Sequence, residues 1–130
     1  MDKTGEERFV SRDGHQIFCR QWLCNEPSKA RANVLIAHGM GEHSARYGEL
    51  AHTLNDAGFN VLAPDLRGHG QSLTALIEPG DMGRHGWQET LADLAFLEHR
   101  MTQENDRPAI LFGHSMGAML AQEYAYTRGH

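Results

Sequence analysis

Apolar residues gather in three short, nearly uninterrupted runs, Asn33-Val34-Leu35-Ile36-Ala37, Asn60-Val61-Leu62-Ala63 and Ala109-Ile110-Leu111-Phe112. Runs this short and continuous predict strands buried on both faces, as in a parallel sheet. Between them the period lengthens. Tyr47, Leu50, Ala51 and Leu54 recur at helical spacing, with Ser44 placed to cap the start and Gly58 to stop the helix. Trp87, Leu91, Leu94, Leu97 and Met101 predict a second amphipathic helix, and Met116 to Thr127 a third. Ahead of all three units, Phe9-Val10, a turn at Arg12-Asp13-Gly14 and a β-rich stretch from Gln16 to Leu23 predict a hairpin. A glycine- and proline-rich loop from Pro64 to Gly86 joins the second run to the second helix. A hairpin followed by three strand–helix units predicts an α/β domain: a mostly parallel sheet, an N-terminal antiparallel hairpin, and helices on both faces.

At 130 residues the chain is one domain at most, and 40% hydrophobic with 22% charged residues is ordinary for a soluble globular protein. The net charge of −5 argues against nucleic acid as a partner, because no basic block is present to neutralise phosphates. No apolar run approaches the ~20 residues of a membrane span. The opening MDKTGEERFV has no apolar core of a secretory signal. Cys19 and Cys24 fall on one predicted strand without metal-binding spacing, so free thiols in a reducing cytoplasm are expected. Nine histidines raise the question of metal, but none forms an HExxH or HxH pattern, and no metal site is expected. His52 and His99 are expected on solvent-facing helix surfaces.

Gly113-His114-Ser115-Met116-Gly117 carries more weight. Gly-x-Ser-x-Gly alone says little, but here a buried strand precedes it and a helix follows. That is the setting of a nucleophile elbow. The turn is tight enough that side chains at 113 and 117 are expected to collide with neighbouring backbone, and Ser115 is pushed out at the carboxyl end of its strand, where ligands bind in open α/β sheets. Gly117, Ala118, Ala121 and Ala125 let the helix pack close beneath it. Acyl transfer also needs donors for the oxyanion. One is expected from the Met116 N–H, the residue after the nucleophile. The other is expected from the turn after the first parallel strand, His38-Gly39-Met40-Gly41-Glu42-His43, where Gly39 and Gly41 permit close approach and leave the Met40 N–H as donor.

The segments AHGMGEHSARY, PDLRGHGQS and GHSMGA, in that order and spacing, resemble the monoacylglycerol lipase and lysophospholipase group of α/β-hydrolases across residues 33 to 127. The resemblance implies a serine hydrolase that cleaves the ester of a single-acyl-chain lipid without a cofactor, with room for peripheral contact with a membrane. Carried over by position, Ser115 resembles the nucleophile, and Met40 and Met116 the oxyanion donors. Asp65, Arg67, Gly68, His69 and Gly70 resemble a structural loop, with Asp65 organising that loop rather than serving as the triad acid. His38 is expected to orient the oxyanion turn, with substrate contact the alternative; Arg46 and Arg67 are assigned to structural pairing.

The family order is Ser, then Asp or Glu, then His. After Ser115 this sequence offers only Glu123 and His130. Glu123 lies eight residues on, ~12 Å along the helix, too far to serve a base at the serine. The triad acid and base are therefore expected outside residues 1–130, the sheet is expected to stop after the nucleophile helix, and the chain alone is expected to be inactive. Two alternatives stay open: a non-catalytic α/β fragment that binds an apolar ligand, a partner or itself through an exposed sheet edge, and the same fold acting as thioesterase, peptidase or acyltransferase.

Overall fold

In the computed structural model, which describes residues 4–73 and 78–127, the first apolar run forms β3 (Ala32–Ala37), buried at all six positions. Successive side chains of a strand alternate between faces, so a continuous apolar run requires cover on both. Leu35 and Ala37 enter a core with Leu62, Leu94, Leu97, Met101 and Leu120. Val34 and Ile36 enter a second core with Trp22, Ala51, Val61 and Ala63. The first core lies beneath α2 (Gly86–Glu104) and α3 (Met116–Thr127), the second beneath α1 (Gly48–Asp56). The predicted helices on both faces are present.

The sheet runs β1–β2–β4–β3–β5, with β1 Thr4–Val10, β2 Gln16–Trp22, β4 Phe59–Pro64 and β5 Ala109–Gly113. The hairpin β1–β2 is antiparallel and joins β4 antiparallel; β3 runs parallel to β4 on one side and β5 on the other. β1 begins five residues before the apolar pair that announced it. Its first half, with Glu6, Glu7 and Arg8 on a sheet edge, offers no hydrophobic alternation to read.

Several local expectations are corrected. Ser44 does not cap α1: it opens a short 3-10 turn, Ser44–Tyr47, and α1 starts four residues later, after Tyr47, without a side-chain cap. The Ser44 N–H instead donates to Asp65 Oδ1 at 2.6 Å. Gly58 does follow the helix, at φ +93°. Cys24 lies beyond the end of β2, its N–H donating to Asn60 Oδ1 at 3.1 Å. Both cysteines are buried free thiols, and burial pushes the Cys19 thiol up to about 12. β5 is not covered on both faces. Leu111 packs against the core under α2 and α3, while Ile110 and Phe112 are 46% and 41% exposed on the other face. α1 sits over β4, and the 3-10 turn before it meets β5 through an edge-to-face contact of Tyr47 with Phe112. His52 and His99 are exposed, as expected. No helix among the described residues is long and apolar enough to cross a membrane.

Candidate active site

The parallel register brings two turns together. Ala37, the last residue of β3, pairs with Gly113, the last of β5. The segments that follow, His38-Gly39 and His114-Ser115, therefore leave the sheet side by side, linked by a His114 N–H to Ala37 carbonyl bond of 3.2 Å. Ser115 sits between β5 and α3 with φ +57°, the one described non-glycine residue at positive φ. That conformation costs an L-residue ~1–2 kcal/mol, and the surrounding contacts enforce it. A Cβ on Gly113 would run into the Gly117 carbonyl, and one on Gly117 into the Ala37 carbonyl. Ala118 and Met119 donate to the Ser115 carbonyl at 2.9 and 3.2 Å, which starts α3 directly behind the side chain. Met116, as the first helical residue, presents an N–H ahead of the intrahelical ladder. Ser115 is exposed, and its hydroxyl makes no hydrogen bond among the described residues.

The facing turn is pressed against this elbow. A Cβ built on Gly39 would stand 3.1 Å from Ser115 Cβ and 3.2 Å from the His114 carbonyl oxygen. Gly41 has open space around it; its requirement for glycine is a φ of +78°. The Gly39 N–H donates to Glu42 Oε1 at 2.7 Å, so that amide is engaged and the Met40 amide is the next along the turn. The Met40 side chain is 58% exposed.

Glu42 received no role from the sequence, and it joins the two turns. Besides Gly39, its Oε1 accepts from the Tyr47 hydroxyl at 2.8 Å and lies 3.3 Å from His114 Nδ1. Arg46 stands 3.8 Å from Oε2. The Gly39 N–H above all, with the Tyr47 hydroxyl and His114, holds the Glu42 carboxyl down at about 2. Burial, aided by the bond to Glu42, raises the Tyr47 phenol to about 12. The only signal in the sequence was an acidic residue three positions after a turn glycine.

His38 is 1% exposed, with both ring nitrogens engaged. Nδ1 donates to the Gly39 carbonyl at 2.8 Å, and Nε2 accepts the Leu66 N–H at 2.9 Å. Accepting at Nε2 fixes the neutral tautomer, and burial lowers the pKa further. The ring thus ties the Met40 turn to the loop after β4. In that loop Asp65 accepts from the Ser44 and Gln71 amides at 2.6 and 2.8 Å. Arg67 is buried in a fork to Asp93, Nε and Nη2 donating at 2.8 and 3.2 Å, with Asp13 on Nη1 and Ser11 also on Nη2. Glu123 turns away from the site, accepting Trp87 Nε1–H at 2.9 Å. His130 lies outside the described residues.

A family model described as serine aminopeptidase, S33 (Hydrolase_4) matches residues 28–130. Mouse monoglyceride lipase is 39% identical over 116 residues, covering 87% of this chain and 35% of that protein. Human monoglyceride lipase is 37% identical over 126 residues, covering 94% and 39%. The chain thus spans little more than a third of the length of these relatives. Among solved structures, a thermostable carboxyl esterase from Bacillus coagulans in complex with glycerol superposes with a TM-score of 0.86 at 35% identity, covering 97% of this chain and 41% of that one. With the order of its elements, its sheet and these matches in agreement, the chain belongs to the α/β-hydrolases, in the serine aminopeptidase S33 family.

Proposed function

We propose that residues 1–130 supply the nucleophile and oxyanion hole of a serine hydrolase that cleaves carboxylic esters of the monoacylglycerol or lysophospholipid type. The observation that carries the reading is the backbone of Ser115, held at φ +57° with Gly39 of the neighbouring turn against its Cβ. Strain of that kind persists only where surrounding structure over-determines it, and it clusters at functional sites. Ser115 Oγ attacks the ester carbonyl carbon while a base takes its proton. The carbonyl π electrons move to oxygen, where the Met40 and Met116 amides receive the charge. Collapse expels the glycerol-side alkoxide with the proton from the base, leaving an acyl-serine that water hydrolyses by the same route.

We assign neither the base nor its carboxylate partner to the described residues. His38 has both nitrogens committed, and Glu123 is bound to Trp87. We place them in polypeptide outside this sequence. A serine hydroxyl without its base retains only what the oxyanion hole and binding contribute, a loss on the order of 10⁶ in turnover in subtilisin. The chain of residues 1–130 is therefore expected to give no fluorophosphonate labelling above background. Supplying the remainder of a monoglyceride lipase, fused or as a separate chain, restores labelling, and Ser115→Ala abolishes it. Labelling that survives Ser115→Ala would overturn the assignment. The family description keeps peptide cleavage as a second reading; turnover of an aminoacyl nitroanilide faster than a monoacylglycerol would favour it.

A further inference from the structure

We propose that Glu42 is a positioning residue of this site, clamping the turn that carries Met40 to the elbow that carries Ser115 and so setting the spacing of the two oxyanion amides. The proposal rests on the functional reading above. One carboxylate oxygen, Oε1, meets three groups from different parts of the site: the Gly39 N–H at 2.7 Å, the Tyr47 hydroxyl at 2.8 Å and His114 Nδ1 at 3.3 Å. Gly39 is one residue before the Met40 amide, and His114 one residue before Ser115. Glu42 is on the Met40 turn itself, and its own N–H closes that turn on the Gly39 carbonyl at 3.1 Å. A single anionic atom thus holds both turns at their last residues before the proposed reacting groups. Tyr47, leaning edge-on against Phe112 of β5, fixes the carboxylate from behind.

The function of such a clamp follows from the geometry an oxyanion needs. Its two donors must each stand ~3 Å from one developing oxygen, and a displacement of about 1 Å at a site of this kind costs on the order of 10²-fold. The Met40 turn has two glycines, one of them at positive φ, and its tip is exposed. Its own backbone closes through the Glu42 N–H on the Gly39 carbonyl at 3.1 Å, a neutral bond that does not hold it to that tolerance. A charge-assisted bond of 2.7 Å to Gly39, stronger than a neutral one, does. Glu42 also explains why the free donor is Met40 and not Gly39, whose N–H it occupies.

Glu42→Gln keeps the side-chain length and an acceptor oxygen while removing the charge. In the active form used for the labelling experiment, it is expected to lower kcat about 10–100-fold with KM changed less than about twofold. A tetrahedral boronate, which places an oxyanion in the hole, weakens by the same factor, whereas a ground-state ether analogue of the substrate does not. A purely structural role would instead lower the melting temperature and leave kcat per labelled site unchanged, and that result overturns the proposal. A second measurement, on the same active form without substrate, does not depend on catalysis. The Gly39 amide proton is expected downfield in the native protein, and in Glu42→Gln it should move upfield and exchange with solvent at least about tenfold faster; an unchanged Gly39 amide overturns the clamp even if Ser115 proves to be the nucleophile. Should Glu42→Gln fail to fold, Tyr47→Phe and His114→Ala each remove one contact and are expected to lower kcat about 3–10-fold. No effect from either would overturn the proposal. Labelling that survives Ser115→Ala, with the Gly39 shift intact, would instead refute the functional reading alone.

Discussion

Replacing Arg67 by Met should destabilise the protein more than any other single change to the loop after β4. The guanidinium is 2% exposed in its side chain and forks onto Asp93, itself 5% exposed, at 2.8 and 3.2 Å. Nη1 donates to Asp13 and Nη2 also to the Ser11 hydroxyl, both at 2.6 Å. Methionine fills much of the same volume, so the cost is electrostatic: Asp93 keeps its charge in a place without water or partner. Breaking a buried pair from one side costs ~3–5 kcal/mol, or about 10–20 °C in melting temperature for a domain of this size. The pH dependence has a definite sign. Burial already raises Asp93 against the pull of Arg67, and without Arg67 it rises further. A carboxyl raised in the folded state carries no penalty below its unfolded value of ~3.9, and the penalty grows as pH rises through the folded pKa. Asp13 shifts the other way. The Arg67 bond holds it well below the usual carboxylate range, so it stabilises the wild type above the unfolded pKa and loses that contribution as pH falls. Both effects make the variant's deficit larger at pH 7 than at pH 4. Urea unfolding followed by tryptophan fluorescence at both pH values, with an unchanged m-value, measures it. Adding Asp93→Leu to Arg67→Met removes the stranded charge and should recover the deficit to within ~1 kcal/mol of wild type. A deficit at pH 7 below ~1 kcal/mol, or one that grows on acidification, would refute the reasoning.

Two glycines separate space from conformation. Gly117→Ala, whose methyl meets the Ala37 carbonyl, should cost about 3 kcal/mol or more by pushing α3 off the sheet, while Gly41→Ala, with open space but φ +78°, should cost only ~1 kcal/mol; equal costs in urea titrations would show that the close approach is not rigid. The outer edge of β5 has no partner strand among the described residues, and Ile110 and Phe112 flank it half-exposed. The chain of residues 1–130 is therefore expected to dimerise or aggregate through that edge, with light scattering showing monomer recovery on Ile110→Lys; a monodisperse wild-type monomer at 100 μM would count against it.

What could be read from the sequence was whatever left a periodic or a covalent trace. Val34 to Ala37 announced a doubly covered strand because every residue was apolar, and the structure buries all of them. Ala109 to Phe112 gave the same signal, yet two of its four side chains are half-exposed. Local pattern reports how apolar a strand is, and cover is supplied by elements distant in sequence. The elbow was legible because two glycines and a serine at fixed spacing encode its backbone. Glu42 was not. Its significance lies in contacts to Gly39, Tyr47 and His114, the last of them 72 residues away, and no propensity of a glutamate in a turn predicts them. The partners of Arg67 were hidden for the same reason: Asp13 is on the hairpin turn and Asp93 on α2.

The register of β3 against β5 is what converts two separately readable turns into one site. Pairing Ala37 with Gly113 makes both strands end at one level, so each turn starts where the other does. A slip of one residue would move the Met40 turn by ~3.3 Å along the strand. It would also exchange Leu35 and Ala37 with Val34 and Ile36 between the two cores, and the penalty of misplacing those side chains is what fixes the register. The core residues therefore set the distance between Gly39 and Ser115 before any polar contact forms, and Glu42 acts on what remains, the freedom of the turn itself. On this division, changes in the strand cores should alter stability and leave the spacing of the proposed oxyanion amides intact while the fold persists. Val34→Ala, three residues before the end of β3, should cost ~1–3 kcal/mol in urea unfolding and leave the Gly39 amide shift where it is. A displaced Gly39 resonance in that variant would mean that the strand core and the turn are not separable.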